Sequence, residues 1–138
     1  MPSREKERRA CARFVVFGAT VTYSGKTGLL ARKIVEDERR PVVNMSRGGL
    51  LFLSQQNIKP DAGLTITLRD AGDEVVCALK ARVIWTSPSF GESYPYKVAV
   101  QFAPYGSGAD CNPPEDLEKI KELEATHLPA TPHREPRS

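Results

Sequence analysis

Histidine, cysteine and tryptophan are scarce in this chain of 138 residues, which has two, three and one of them. Both histidines, His127 and His133, fall in a proline-containing tail, so neither a histidine-based catalytic centre nor a metal site is expected. Cys11, Cys77 and Cys111 are widely spaced, with no CxxC pair. That spacing excludes a zinc ribbon and a disulfide framework and suits a reducing cytoplasm. Long apolar runs are missing as well. None approaches the roughly 20 residues that cross a bilayer. The opening MPSREKERRACAR has no apolar signal core, so neither a membrane span nor export is expected. No nucleophile–base pair stands out, and the chain reads as a binding module without catalytic residues, metal or cofactor.

The net charge of +3 is too small for a general nucleic-acid coat, but it is unevenly spread. Residues 1–13 hold Arg4, Lys6, Arg8, Arg9 and Arg13 against Glu5 and Glu7, whereas residues 115–124 are net acidic. A basic arm at one end offers an anionic ligand a place to bind.

Most of the chain has the period of strands. FVVFGATVTY (14–23) is rich in β-branched and aromatic residues, with Val15, Phe17, Ala19 and Val21 as its more apolar face, and SGKTG reads as a turn. Two strands are expected at about 29–36 and 40–45, joined by a charged turn at 37–40, with Pro41 on an edge or opening a strand. Further strands follow at 49–54, 64–69, a long run at 75–85, and 97–102. Helical spacing appears only after Pro113 and Pro114, where Leu117, Ile120 and Leu123 share a side and Asp110 or Asn112 is available as a cap. Six or seven short antiparallel strands followed by one helix exclude βαβ units and leave an all-β closed barrel or sandwich. The expected organisation is a basic arm over 1–13, a barrel with its C-terminal helix over 14–126, and a disordered tail over 127–138.

Two polar clusters are not explained by packing. One is Arg9-Ala-Cys-Ala-Arg13, with Arg8 beside it. The other is Asn44-Met-Ser46-Arg47-Gly48-Gly49. In order they read RxxxR and then NxSxxG. Together with an AxVxW strand (Ala81, Val83, Trp85) and a late VxF strand (Val100, Phe102), they resemble the signature of the PilZ domain over about residues 8–105. The resemblance implies a six-stranded antiparallel barrel with RxxxR just before the first strand. It also implies a bacterial receptor for the second messenger cyclic di-GMP, acting in motility or biofilm regulation through a downstream protein that the sequence does not identify. Arg9, Arg13, Asn44, Ser46 and Gly49 match the motif positions, and Arg8 adds charge beside them. Ala99 departs from the family, many members of which have glycine there.

The chemistry of these residue types suits that ligand. Arginine binds phosphate through charge-assisted, often bidentate bonds, matches the O6/N7 edge of guanine, and stacks on a base. The Asn44 carbonyl can accept from a guanine N–H, Ser46 can donate or accept, and Gly49 lets the backbone and a ligand approach closely. Arg47 and Gly48 are further candidates. Trp85 shares parity with Val83 and Ala81, which favours core packing; the alternative is a ring bordering the ligand. The expected relay is ligand-driven ordering of the arm over the barrel, with one or two ligand molecules. The main rival is an adaptor that keeps the barrel and binds protein instead of nucleotide. A single-stranded nucleic-acid binder would want exposed aromatics in a basic groove, so nucleic acid is not the expected partner.

Overall fold

The computed structural model describes residues 13–27, 32–91 and 93–127. Arg8, Arg9 and Cys11, and the tail from residue 128, lie outside the described residues. The described chain forms β1 (Thr20–Thr27), β2 (Arg32–Ser46), β3 (Gly49–Ser54), β4 (Gly63–Arg69), β5 (Val75–Pro88), β6 (Tyr96–Phe102) and a helix, α1 (Pro114–Thr126). The six strands close into a barrel in the order β1-β2-β3-β6-β5-β4, and β1 pairs with β4 to seal it. Every pairing is antiparallel, and closure leaves no open edge. The alternation in the sequence becomes the barrel wall. Leu64, Ile66 and Leu68 point inward, as do Leu79, Ala81 and Val83, while the residues between them face out. The helix covers the wall at β5, burying Ile120 and packing Leu123 against the core.

Local irregularities account for the departures from the expected strands. The run 14–23 is not one strand. Phe14 and Val16 are buried, Phe17 is 75% exposed, and the inward parity then shifts to Ala19 and Val21. The switch is made at Gly18, whose φ of +82° a larger residue would resist and whose added Cβ would meet that of Ala71 at 2.8 Å. The SGKTG segment is not a turn, because Ser24–Thr27 continue β1.

The two strands expected on either side of residue 37 are a single strand, β2, so the barrel has six strands. Val21 pairs with Arg40 and Tyr23 with Glu36, which leaves residues 37–39 bulged opposite Thr22. The charged stretch bulges rather than turning because Glu36 and Arg40 pair with each other. Arg40 Nη2 donates to Glu36 Oε1 at 3.0 Å with both residues buried, and the guanidinium lies over the Tyr94 ring. Pro41 follows the bulge inside β2, one residue before pairing with β3 begins at Val42. Its missing N–H therefore removes no bond to β3.

Neither Asp110 nor Asn112 caps α1, whose N-cap is Pro113 without a side-chain bond. Asn112 is used elsewhere. It is 1% exposed, its Oδ1 accepts from Lys80 N–H at 2.8 Å, and its Nδ2 donates to the Lys80 and Ala103 carbonyls at 3.1 Å each. The amide thus fastens the chain between β6 and α1 to β5. Asn112→Ala would take the acceptor from the part-buried Lys80 N–H and the donor from the Ala103 carbonyl, while the Lys80 carbonyl keeps its bond from Ala103 N–H. At up to about 1–3 kcal/mol for each group left unpaired, a lowered thermal midpoint with an unchanged strand spectrum by circular dichroism is the expected result. A second expectation concerns pH. Burial pushes the Cys77 thiol up to about 12, whereas an unfolded cysteine ionises near 8.5. Between those values the unfolded chain loses a proton that the folded one keeps, so stability falls as pH rises. In denaturant titrations from pH 8 to 11, Cys77→Val should show a shallower decline than the parent.

Candidate functional site

The site is built where the segment before β1 meets β2. Phe14 and Met45 exchange both backbone N–H···O bonds, at 2.8 and 2.9 Å, and both side chains are buried. With those two inside, Arg13 turns outward and Asn44 is half-buried, whereas Ser46 is only 4% exposed. Continuing the register sets Arg13 opposite Ser46 and diagonal to Asn44, within reach of a long side chain. Arg13 Nε donates to Asn44 Oδ1 at 2.5 Å, joining residues 31 positions apart. Partial burial pulls the Arg13 pKa below the usual arginine value, though an arginine in this setting stays cationic. The last arginine of RxxxR and the asparagine of NxSxxG therefore touch.

The rest of NxSxxG forms the β2–β3 hairpin. Ser46 pairs with Gly49, and the Ser46 hydroxyl accepts from Gly48 N–H at 3.2 Å, which stiffens the turn. Gly49 is needed for a reason the sequence did not suggest. Its φ is not positive, but an added Cβ would collide with the Val100 carbonyl oxygen on β6. A Cβ on Gly48 would meet nothing within 4 Å. Arg47, at the turn, reaches the helix: its Nε donates to Glu124 Oε1 at 2.7 Å, and its carbonyl accepts from Tyr105 Oη at 2.8 Å. The last turn of α1 has no basic residue of its own, so Arg47 supplies the cation that a helix C-terminus favours.

Two bulges decide what else faces outward. One sits at Val43, between the pairs Val42–Phe52 and Asn44–Leu51, and the other at Ile84, between Val83–Val100 and Trp85–Ala99. Residues directly opposite each other share a face, so Asn44, Leu51, Ala99 and Trp85 form one row across the outside of β2, β3, β6 and β5. That row spans three interstrand gaps, about 14 Å. Trp85 is 43% exposed, which corrects the expectation of core packing: the bulge at Ile84 breaks its parity with Val83. Bulges commonly re-aim side chains beside functional sites, and here they put an amide and an indole on the same wall.

The structure thus brings together Arg13, Asn44, Ser46 and Gly49, with Gly48 at the exposed turn and Trp85 farther along the wall. Arg47 turns to the helix, and Arg8 and Arg9 lie outside the described residues. Glu124 and Tyr105, the partners of Arg47, were not singled out in the sequence, where Glu124 was one of several helix acids. Their proximity depends on how α1 docks. Among the described residues no group of side chains could hold a metal ion, and no helix is long and apolar enough to cross a membrane.

The family model described as the PilZ domain matches residues 7–112. The chain belongs to the PilZ domain family. No curated protein matches it. Among solved structures it is similar to one described as "MrkH, A novel c-di-GMP dependence transcription regulatory factor", with 13% identity and a TM-score of 0.46. The match covers 82% of this chain and 48% of that one, so this chain spans about half the length of that protein.

The two glycines should separate experimentally. Gly49→Ala forces β3 away from β6 and should lower the melting temperature clearly. Gly48→Ala enters open space and should stay within about 0.5 kcal/mol of the parent. Parallel thermal melts of the two variants check this.

Proposed function

We propose that this protein is a cyclic di-GMP receptor that binds its ligand on the outer wall around Arg13, Asn44, Ser46 and Gly49. The observation that carries the reading is the contact between Arg13 and Asn44, held by the Phe14–Met45 bridge, in a chain of the PilZ family. Arg13 supplies a fork for phosphate or for the guanine O6/N7 edge. The Asn44 amide and the Ser46 hydroxyl supply polar groups for a guanine edge, and Trp85 offers an aromatic face at the far end of the row.

Arg8 and Arg9 complete the site by folding over the bound ligand. Ordering the five residues 8–12 would cost about 5–10 kcal/mol of backbone entropy at 1–2 per residue. Charge-assisted bonds contribute about 1.5–3 kcal/mol each, so several arginine contacts are needed to offset it, and the clustering of Arg8, Arg9 and Arg13 meets that need. The ordered arm then presents a changed surface to a downstream protein, a population shift driven by the ligand's preference for the closed state. The protein acts by binding rather than by catalysis, in a bacterial cytoplasm.

Calorimetry with cyclic di-GMP tests the reading. Micromolar or tighter binding is expected, weakened at least tenfold by Arg13→Ala and by Asn44→Ala. Because Trp85 is the sole tryptophan, its emission should change on titration in the parent protein. No heat and no change in emission at high ligand concentration would refute the proposal and favour the nucleotide-independent adaptor, whose partner capture would ignore cyclic di-GMP.

A further inference from the structure

A second outer row runs beside the first. Ser46 pairs with Gly49, Gly49 with Gln101, and Gln101 with Arg82. The inward neighbours Val100, Phe102, Ala81 and Val83 are buried, so Gln101 and Arg82 face out, and both are exposed. With glycine at 49, no side chain separates Ser46 from Gln101 along this row. Arg82 Nη2 donates to Gln101 Oε1 at 3.3 Å, which holds the two side by side. Among the described residues, no carboxylate pairs with Arg82.

The pair borders a cleft of about 650 Å³ whose lining also includes Gly48, Phe102, Ala103 and Tyr105. That volume lies in the range of small-molecule sites, and its mix of apolar floor and a few polar groups is their usual composition. Lys80 also lines it, but its ammonium is engaged by the Ala109 carbonyl at 2.5 Å. Arg82 is therefore the cation of this cleft that offers a planar fork, while Lys80 adds a second positive charge held at the Ala109 carbonyl.

We infer that Arg82 and Gln101 form a second base subsite, which reads the guanine that Arg13, Asn44 and Ser46 do not. This rests on the cyclic di-GMP reading above. A cyclic dinucleotide carries two identical bases about one ring, so a site that reads one base leaves the other to meet a neighbouring surface. Ser46 and Gly49 are themselves buried, and the wall continues past them to the exposed Gln101 and Arg82 and to this cleft. The Arg82 fork matches the O6 and N7 acceptors of guanine, while an adenine would set its N6 amino donor against the guanidinium. The Gln101 carbonyl can accept a guanine N–H, and the apolar floor takes the ring face. Arg82 is thus a specificity-determining residue for guanine over adenine.

The test is parallel titration of parent, Arg82→Ala, Arg82→Lys, Gln101→Ala and Arg13→Ala with cyclic di-GMP and cyclic di-AMP. Arg82→Ala should weaken cyclic di-GMP binding about tenfold to hundredfold and narrow the preference over cyclic di-AMP. Arg82→Lys should fall nearly as far, because an ammonium keeps the charge but not the fork. Gln101→Ala should fall less. Arg82 is exposed, so melting temperatures should match the parent, and a merely structural role would move the melt instead of the base preference. Parental affinity and preference in Arg82→Ala, or full recovery in Arg82→Lys, would overturn the inference while loss of binding in Arg13→Ala left the receptor reading intact. Failure of the parent to bind cyclic di-GMP would remove both.

Discussion

The candidate site depends on the two backbone hydrogen bonds between Phe14 and Met45. They lie outside the regular strands, and a single pair of amide bonds is worth little on its own in water, roughly 0.5–1.5 kcal/mol each. Their strength comes from the side chains beneath them, a phenylalanine and a methionine both sealed in the barrel. Burying those two groups draws the segment before β1 down onto β2, and strand alternation then leaves Arg13 no direction but outward, next to Asn44. A hydrophobic requirement inside the barrel thus fixes a polar contact outside it.

The same coupling between inside and outside governs the wall. A barrel of alternating strands has its outer residues set by parity, and parity changes only at a bulge. The bulges at Val43 and Ile84 lie on β2 and β5, at opposite ends of one outer row. Without them, Asn44 and Trp85 would not share that row. The bulge at residues 37–39 has a different consequence, bringing Glu36 and Arg40 together as a buried pair. Such a pair adds little net stability, but losing one partner is costly; it fixes how the charged run is accommodated without breaking β2.

Around the hairpin, packing and recognition draw on the same residues. Gly49 lets β3 approach the Val100 carbonyl, and that approach also clears the wall between Ser46 and Gln101. Arg47 ties the turn to Glu124 of α1, so the hairpin carrying Ser46 is braced from the helix side and by Tyr105. Asn112 fastens the connection between β6 and α1 to β5, which sets where the helix, and hence Glu124, can lie.

Strand alternation in 49–54, 64–69 and 97–102, the helix after Pro114, and the pairing of RxxxR with NxSxxG were legible in the sequence because each is a local pattern: period two, period 3.6, or a fixed spacing. The periodicities left an all-β barrel or sandwich with one helix, and the resemblance carried by the motif pair pointed to the barrel and named Arg9, Arg13, Asn44, Ser46 and Gly49. The merging of 29–36 with 40–45, the break at Gly18, the outward turn of Trp85 and the packing need at Gly49 were not legible. A bulge is defined by the partner strand, and a clash by a neighbour some fifty residues away, as Val100 is for Gly49. The sequence therefore specified which side chains were available for a site. The tertiary structure decided which of them share a face, because strand order and bulge position depend on pairings between distant segments that no single stretch of chain contains.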